Sequence, residues 1–321
     1  LALIEQDFKD FHNTGWLNVL LQAVFIFLTG FVVFKGVQNG IEKYSKILMP
    51  LLLVILVVLA IRSITLPGAE KGLSFLFRPD FSKITGHTFI DALGQGLFSL
   101  SLGIGALITY GSYVNKNDNL TSTAFSVIIS DTLVALLAGL VIFPAAFTFG
   151  VKPEAGMDLV FSTLPMLFNQ MAGGYWFCLI FFILLAIAGL TSTIAMLEVI
   201  VAYLSEELHL SRKKATVIAS AVTMLIGMFA SLSLMEHTPL KIDGFAFNDF
   251  LDFFTSNILL PVGGLLTVIF LGWRLGKAEF FDEVTNGGQR KSPLKQIIFF
   301  IIRYLAPLAV AAILIAGLIN Q

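Results

Sequence analysis

The third long apolar segment of the chain contains the sequence QGLFSLSLGIG at residues 95–105. Glycines and serines interrupt what is otherwise a good membrane-spanning helix, and each glycine costs a helix about 1 kcal/mol relative to alanine. Such a run lets a helix unwind at bilayer depth, where freed carbonyl oxygens can coordinate a cation and N–H groups can face an anion. The alternative interpretation is a continuous helix whose small residues allow close packing against a neighbouring helix.

The amino-acid composition of the chain indicates the environment in which this segment folds. Of the 321 residues, 57% are hydrophobic and 13% are charged, whereas soluble domains carry roughly 25% charged residues. A soluble globule of this size could not bury so much apolar surface. The net charge of −1 provides no basic surface for nucleic acid. We therefore predict an all-α, polytopic membrane protein.

Eight segments are long and apolar enough to span a bilayer, which requires about 20 residues each. They lie at residues 15–36, 47–66, 88–113, 121–148, 174–205, 215–235, 247–276 and 293–319. We treat residues 1–321 as a single transmembrane domain made of these eight spans.

The distribution of Lys and Arg orients the spans. One set of loops carries Lys35, Lys43, Lys46, Lys116, Arg212, Lys213, Lys214, Arg274, Lys277, Arg290, Lys291 and Lys295. The other set carries only Lys9, Arg62, Lys71, Arg78, Lys83, Lys152 and Lys241. The richer set marks the cytoplasmic side. We expect a multi-pass protein of the inner (plasma) membrane. Both termini then lie outside, and the chain begins with Leu1, so we expect a fragment that lacks an odd number of preceding spans.

Two further groups of polar atoms lie at bilayer depth. A charge there costs at least about 2.5 kcal/mol, so Asp131 either faces a cavity or a cation, or lies close enough to a helix end to reach water. Ala188, Thr191 and Ser192 share one helical face, which Met196 continues one turn later. Their oxygens suit a small alkali cation, although helical hydroxyl groups often bond to the carbonyl one turn back.

Two acidic residues and one amphipathic stretch each have two interpretations from the sequence. Asp252, at the outer end of the seventh span, is either a gate residue or an exposed acid at a helix end. Glu198, two turns after Thr191, either joins an inner gate or reaches interfacial water. The amphipathic stretch 156–171 is either a helix lying on the outer surface or an ordered loop.

The chain carries no recognisable enzyme signature. It has no Walker A sequence, no His-Glu-x-x-His and no Gly-x-Ser-x-Gly. Its four histidines do not have the spacing of metal ligands. We therefore do not expect an enzyme.

Six stretches carry a family resemblance. They are GQGLFSLSLGIGALITYGSY at 94–113, AGLTSTIA at 188–195, SEELHLSRKKA at 205–215, LDFF at 251–254, TNGGQRKSP at 285–293 and RYLAP at 303–307. In order and spacing they resemble the neurotransmitter:sodium symporter family, especially its bacterial amino-acid transporters, over essentially the whole chain. The resemblance implies a LeuT-type fold of inverted repeats with broken helices. The eight spans would be helices four to eleven, and the first three helices would be missing.

The resemblance also implies two sodium sites, both incomplete without the first helix. Ser99 and Asp131 would be ligands of the first sodium ion, with Gln95 near that site. Ligands of the second sodium ion would be the Ala188 carbonyl, Thr191 and Ser192.

A substrate pocket and two gates follow from the same resemblance. The pocket would be lined by Phe98, Ser101, Ile104, Ser192 and Met196. Asp252 would be the acid of the outer gate, and Tyr113 and Glu206 would belong to the inner gate.

The expected function is therefore sodium-coupled symport of a neutral, hydrophobic amino acid by alternating access. Its partners would be the amino acid, Na⁺ and the lipid bilayer, with no nucleic acid. One alternative is a sodium- or proton-coupled carrier of another small solute, such as an amine. Another, for residues 1–321 by themselves, is a non-transporting membrane protein, because we expect this stretch alone not to perform sodium-driven uptake.

Two positions depart from the family pattern. Asp131 stands where many members have Asn, and Ala135 stands where other bacterial members have Glu and chloride-dependent members have Ser. Our hypothesis is that Asp131 supplies the fixed negative charge that chloride supplies elsewhere, because a sodium ion beside a carboxylate favours its ionised form.

Overall fold

A computed structural model describes residues 6, 10–11, 13–115, 118–150, 160–161, 164–171, 173–235, 238, 240–242, 245–289 and 292–319. The described chain is almost entirely helical, as the apolar composition predicts. One antiparallel hairpin pairs β1 (Lys241–Ile242) with β2 (Phe245–Ala246).

The α-helices are numbered in chain order. They are α1 Gly15–Phe34, α2 Lys43–Ile64, α3 Glu70–Phe77, α4 Gly86–Ser99, α5 Ala106–Ser112, α6 Leu120–Thr148, α7 Leu164–Asn169, α8 Gly174–Glu206, α9 Arg212–Ser233, α10 Phe247–Phe253, α11 Leu260–Ile269, α12 Lys277–Thr285, α13 Lys295–Phe300 and α14 Ala306–Ile319. Short π-helical segments continue them at Val37–Glu42, Phe254–Leu259, Phe270–Leu275 and Ile301–Leu305, and Phe81–Lys83 forms a 3₁₀ turn.

Within the described residues, seven helical stretches are long and apolar enough to cross a membrane. The remaining predicted span, 88–113, is not a continuous helix. Helix α4 ends at Ser99, and α5 begins only at Ala106. Ser101 (φ 52°) and Gly105 (φ 88°) adopt left-handed backbone conformations that end the helical path. The broken-helix interpretation of QGLFSLSLGIG is therefore the one found in the structure.

The chain forms two compact units, which are described separately. The first comprises Leu1–Pro79 and Leu133–Asn248. Its core contains Leu56 and Leu59 of α2, Leu164 and Leu167 of α7, and Phe181 of α8. These side chains are almost completely buried, so hydrophobic packing holds α2, α7 and α8 together.

Polar contacts accompany this packing in the first unit. The Ser63 hydroxyl donates to the carbonyl of Val141 over 2.8 Å, which joins α2 to α6. Helix α1 packs against α8 and α9, and Thr29 shares a hydrogen bond of 2.9 Å with Thr193. Helix α8 therefore contacts α1 in addition to the α2 and α7 side chains of the core.

The second unit comprises Asp80–Thr132 and Asp249–Gln321. Leu97 of α4, Leu260 of α11 and Val310 of α14 form its buried centre. Helix α14 packs against both α4 and α11. The break after α4 is therefore anchored on one side by a packed helix.

The amphipathic stretch 156–171 is described only in part. Residues 156–159, 162 and 163 lie outside the described residues. The described part contains the short helix α7, in which Leu164, Leu167 and Phe168 are buried.

Candidate functional site

The break between α4 and α5 brings Ser99 to Asp131. The Ser99 hydroxyl oxygen lies 2.6 Å from each carboxylate oxygen of Asp131, on α6. The hydroxyl can donate only one proton, and an ionised carboxylate only accepts hydrogen bonds. The three oxygens therefore keep lone pairs that a cation could use. Asp131 lies well inside α6 and its hydrogen bond with Ser99 is exposed in the described structure, so its role as a sodium ligand stays a prediction.

The turns of the break also leave carbonyl oxygens without backbone partners. The hydrogen bonds through the break are accepted by Gly96, Leu97, Phe98 and Ser101. In the described structure, no backbone N–H donates to the carbonyl oxygens of Ser99, Leu100, Leu102 and Gly103. Hard oxygen donors, carbonyls and one carboxylate, are the ligands that small hard cations prefer. The donor set of this region therefore fits Na⁺.

Two glycines hold the break against α11. A Cβ atom added to Gly103 would lie 1.9 Å from the carbonyl oxygen of Leu260. One added to Gly263 would lie 2.3 Å from the carbonyl oxygen of Gly103. The unwound segment thus packs backbone to backbone on the start of α11, which only glycine permits.

The second group of predicted ligands lies on α8, in the first unit. The Thr191 hydroxyl donates to the carbonyl of Ala188 over 2.9 Å, the local bond that the sequence offered as an alternative. This bond brings the two oxygens close enough to contact one cation, and each keeps lone pairs for it. Ser192 is exposed beside them, so three predicted ligands lie on one stretch of α8.

The residues predicted to line a substrate pocket are divided between the two units. Phe98, Ser101 and Ile104 belong to the second unit. Phe98 is 55% exposed, and Ile104 packs against the buried centre of that unit. Ser192 and Met196 belong to the first unit, where Met196 lines a cavity of about 150 Å³ with Phe25, Thr29 and Thr193.

The predicted gate residues lie at helix ends. Asp252 is exposed near the beginning of the continuous helical stretch Phe247–Leu275, and the Ser256 hydroxyl is 3.4 Å from its carboxylate. Glu206 is the last residue of α8 and is exposed. Tyr113 follows α5, with its ring edge-on to Tyr110 at 6.3 Å between centroids.

Glu198 does not reach interfacial water, and that interpretation is wrong. Its side chain is 0% exposed and forms an ion pair with Arg212, the first residue of α9. Arg212 also donates from Nε and from a terminal nitrogen to the carbonyl of Val33, over 3.2 Å each. From the sequence, Arg212 was a topology signal and part of the stretch 205–215 that carries the family resemblance, with no partner assigned to it. The sequence did contain a clue to this ion pair. Glu198 lies within a membrane span, and the basic residues 212–214 follow that span after a short loop.

The comparisons with known proteins agree with this architecture. The model of the sodium:neurotransmitter symporter family matches residues 2–321. A sodium-dependent transporter of Haemophilus influenzae is 39% identical over 98% of this chain and 69% of its own length. The sodium-dependent transporter YhdH of Bacillus subtilis is 38% identical over 90% of this chain, which spans only 64% of that relative.

A solved structure shares the fold as well. The crystal structure of MhsT in complex with L-phenylalanine superimposes with a TM-score of 0.86 at 38% identity. The match covers 98% of this chain and 71% of that one. The family match over nearly the whole sequence and the LeuT-type structural likeness lead to one conclusion. The chain belongs to the sodium:neurotransmitter symporter family.

Proposed function

We propose that this protein carries out sodium-coupled symport of a neutral, hydrophobic amino acid across the plasma membrane. The observation that carries the proposal is the approach of Ser99 to Asp131 beside the break that follows α4. A carboxylate, a hydroxyl group and carbonyl oxygens without backbone partners are the components of a sodium site.

The first sodium ion would be held by Asp131 and Ser99 in this proposal. The carboxylate would supply the negative charge that attracts the cation, an attraction that is stronger at membrane depth than in bulk water. The break positions the hydroxyl because α4 ends at Ser99.

The second sodium ion would be held on α8 by the Ala188 carbonyl, Thr191 and Ser192. The distance of 2.9 Å between the Thr191 hydroxyl and the Ala188 carbonyl supports this assignment. Helix α8 is continuous through these residues, so the ligands come from one rigid face without a break.

The predicted pocket residues favour an apolar substrate side chain. Phe98 and Met196 are 55% and 44% exposed, and a thioether adapts to side chains of varied shape. The structural relative was solved with L-phenylalanine, which supports a neutral, hydrophobic amino acid over an amine.

Sodium binding and substrate binding are coupled if both ligands stabilise the same state of the protein. If sodium and substrate each favour the same loaded state, each raises the affinity for the other by the same factor. The loaded protein then shifts its population from outward-open to inward-open forms.

The test is uptake by the full-length protein in proteoliposomes. An inward sodium gradient should drive accumulation of radiolabelled leucine or phenylalanine, whereas a potassium gradient should not. Accumulation of tryptamine in place of both amino acids would instead support the amine alternative.

A matched pair of variants links transport to the proposed ion site. D131N should weaken equilibrium binding of ²²Na⁺ at least tenfold and abolish uptake. D91N makes the same chemical change at an exposed position of α4 and should retain both activities. Equal sodium binding by D131N and D91N would contradict the assignment of Asp131.

A further inference from the structure

The short helix α3 lies directly on a proline of the long helix α6. A Cβ atom added to Gly72 of α3 would lie 2.5 Å from the carbonyl carbon and oxygen of Phe143 and from the Cα atom of Pro144. Gly72 is buried, and Pro144 is less than 2% exposed. The two helices therefore meet backbone to backbone, at a distance that leaves no room for a side chain on Gly72.

Aromatic contacts extend this packing along one face of α3. Phe75 follows Gly72 by three residues, so the two residues share a helical face. The Phe75 ring lies 5.0 Å from the Phe143 ring and 5.2 Å from the Phe147 ring, measured between centroids. Ser74 lies on the opposite face and is exposed. Helix α3 thus packs one face on α6 and leaves the other open.

The turn that precedes α3 is also held in place. It contains Leu66 and Ala69, which are only 7% and 3% exposed, and Leu66 belongs to the hydrophobic core of the first unit. The N–H of Ala69 donates to the carbonyl of Leu66 over 3.2 Å, and its carbonyl accepts from the N–H of Leu73 over 3.0 Å. Because α3 is anchored at this end, a side chain on Gly72 would displace α6 as well as α3.

Pro144 makes α6 easy to bend at the point of contact. Proline has no N–H group, and its ring displaces the carbonyl group four residues earlier, so α6 lacks the hydrogen bond from Pro144 to Leu140. The adjacent carbonyl, that of Val141, accepts a hydrogen bond from the Ser63 hydroxyl over 2.8 Å. Sharp changes of direction in helices occur at such prolines. The contacts made at this position therefore determine the direction of α6.

The same helix carries Asp131. Helix α6 is continuous from Leu120 to Thr148, and Asp131 precedes Pro144 by roughly 20 Å along the helix axis. The carboxylate oxygens of Asp131 each lie 2.6 Å from the Ser99 hydroxyl oxygen. Ligands of a binding site must be held within about 0.5 Å of their working geometry. A small change of direction at Pro144 is therefore enough to weaken an ion site at Asp131.

We propose that Gly72 is a positioning residue for the first sodium ion, an inference that rests on the proposed sodium-coupled function. Gly72 allows α3 to lie on Pro144, which sets the direction of α6 and hence the position of the Asp131 carboxylate. Lys71, the neighbour of Gly72, belongs to the set of loops with fewer basic residues, which marks the outer side. A short helix of an outer loop thus contributes to an ion site within the membrane.

The experiment is a double-mutant cycle on equilibrium ²²Na⁺ binding by the full-length protein. G72A should weaken sodium binding about fivefold, and the same loss should appear in T191V, which lacks a proposed ligand of the second ion. In D131N, G72A should cause no further loss, because the carboxylate through which Gly72 acts is absent. A general loss of structure would instead lower binding by the same factor in every background.

Two further variants of α3 complete the test. S74A changes the exposed face of the helix and should leave sodium binding unchanged. F75L removes two ring contacts with α6 without adding an atom against its backbone, so it should weaken binding about threefold and decides the matter if G72A does not fold.

Two failures are distinguishable in this design. Wild-type sodium binding in folded G72A or in F75L, or an equal loss from G72A in the D131N background, would overturn this inference alone. Wild-type sodium binding in D131N would overturn the proposed ion site and this inference together.

Discussion

The carboxylate of Glu198 and the guanidinium group of Arg212 form a two-pronged ion pair. Its two nitrogen–oxygen distances are 2.9 and 2.5 Å, and the Glu198 side chain is completely buried. Arg212 also donates to the last turn of α1 through the Val33 carbonyl. One side chain of α9 therefore joins α1 and α8, and α8 is the helix that carries the predicted ligands of the second sodium ion.

Removal of one partner of this pair should be severely destabilising. R212M leaves the buried Glu198 carboxylate without its counterion, which costs about 3–5 kcal/mol of unfolding free energy. The double variant E198M/R212M should recover most of that loss, because apolar side chains often replace a buried pair at little cost. Unfolding in detergent, followed by tryptophan fluorescence, measures both.

An exposed ion pair provides the control for this measurement. Lys46 and Glu42 have side chains 73% and 49% exposed, so K46M should cost less than about 1 kcal/mol. The interpretation of the buried pair fails if R212M is as stable as K46M.

The glycine at the break should not tolerate a side chain. G103A places a methyl group 1.9 Å from the Leu260 carbonyl oxygen. The resulting displacement should cost about 1–3 kcal/mol of stability and should weaken sodium binding, because the break positions Ser99. Thermal unfolding and ²²Na⁺ binding measure the two effects.

G96A is the matched change, since an added Cβ at Gly96 meets no atom within 4 Å in the described structure. Gly96 lies within α4, so alanine there should be neutral or stabilise by up to about 1 kcal/mol. Identical behaviour of G103A and G96A would refute the importance of the backbone contact.

Two threonines on α8 should separate ion binding from packing. T191V removes a proposed sodium ligand and should lower sodium affinity about tenfold, equivalent to about 1.4 kcal/mol. T193V removes a hydroxyl that bonds to Thr29 over 2.9 Å. It should lower stability by about 1 kcal/mol and leave sodium affinity unchanged. The reverse pattern would show that the ligand assignment on α8 is wrong.

The sequence was informative where polarity conflicted with the bilayer. The glycines and serines at 95–105 made the break one of two interpretations, because glycine weakens a helix at a depth where freed carbonyl oxygens need other partners. The sequence did not show what holds the break open. The contact of Gly103 with Leu260 joins residues more than 150 positions apart, and periodicity carries no information about such a pair.

The treatment of Glu198 shows the same limit. Its position in the span left two interpretations, an inner gate or interfacial water, because its partner lies on another helix and had been counted among the loop charges. A pattern along one helix identifies an isolated charge and cannot identify the residue that neutralises it. The pairing emerged only when α8 and α9 were placed side by side.

The charge of Asp131 leads to the last prediction, which concerns anion dependence. If this carboxylate supplies the negative charge beside the first sodium ion, no external anion is needed to balance that ion. Uptake by the full-length protein should then be unchanged when chloride is replaced by gluconate. D131N keeps the shape of the side chain but removes its charge, so its residual sodium binding should be weak in gluconate and partly restored by chloride. Wild-type uptake that requires chloride would contradict this role, because a fixed carboxylate and a bound anion would then both be present beside one monovalent cation.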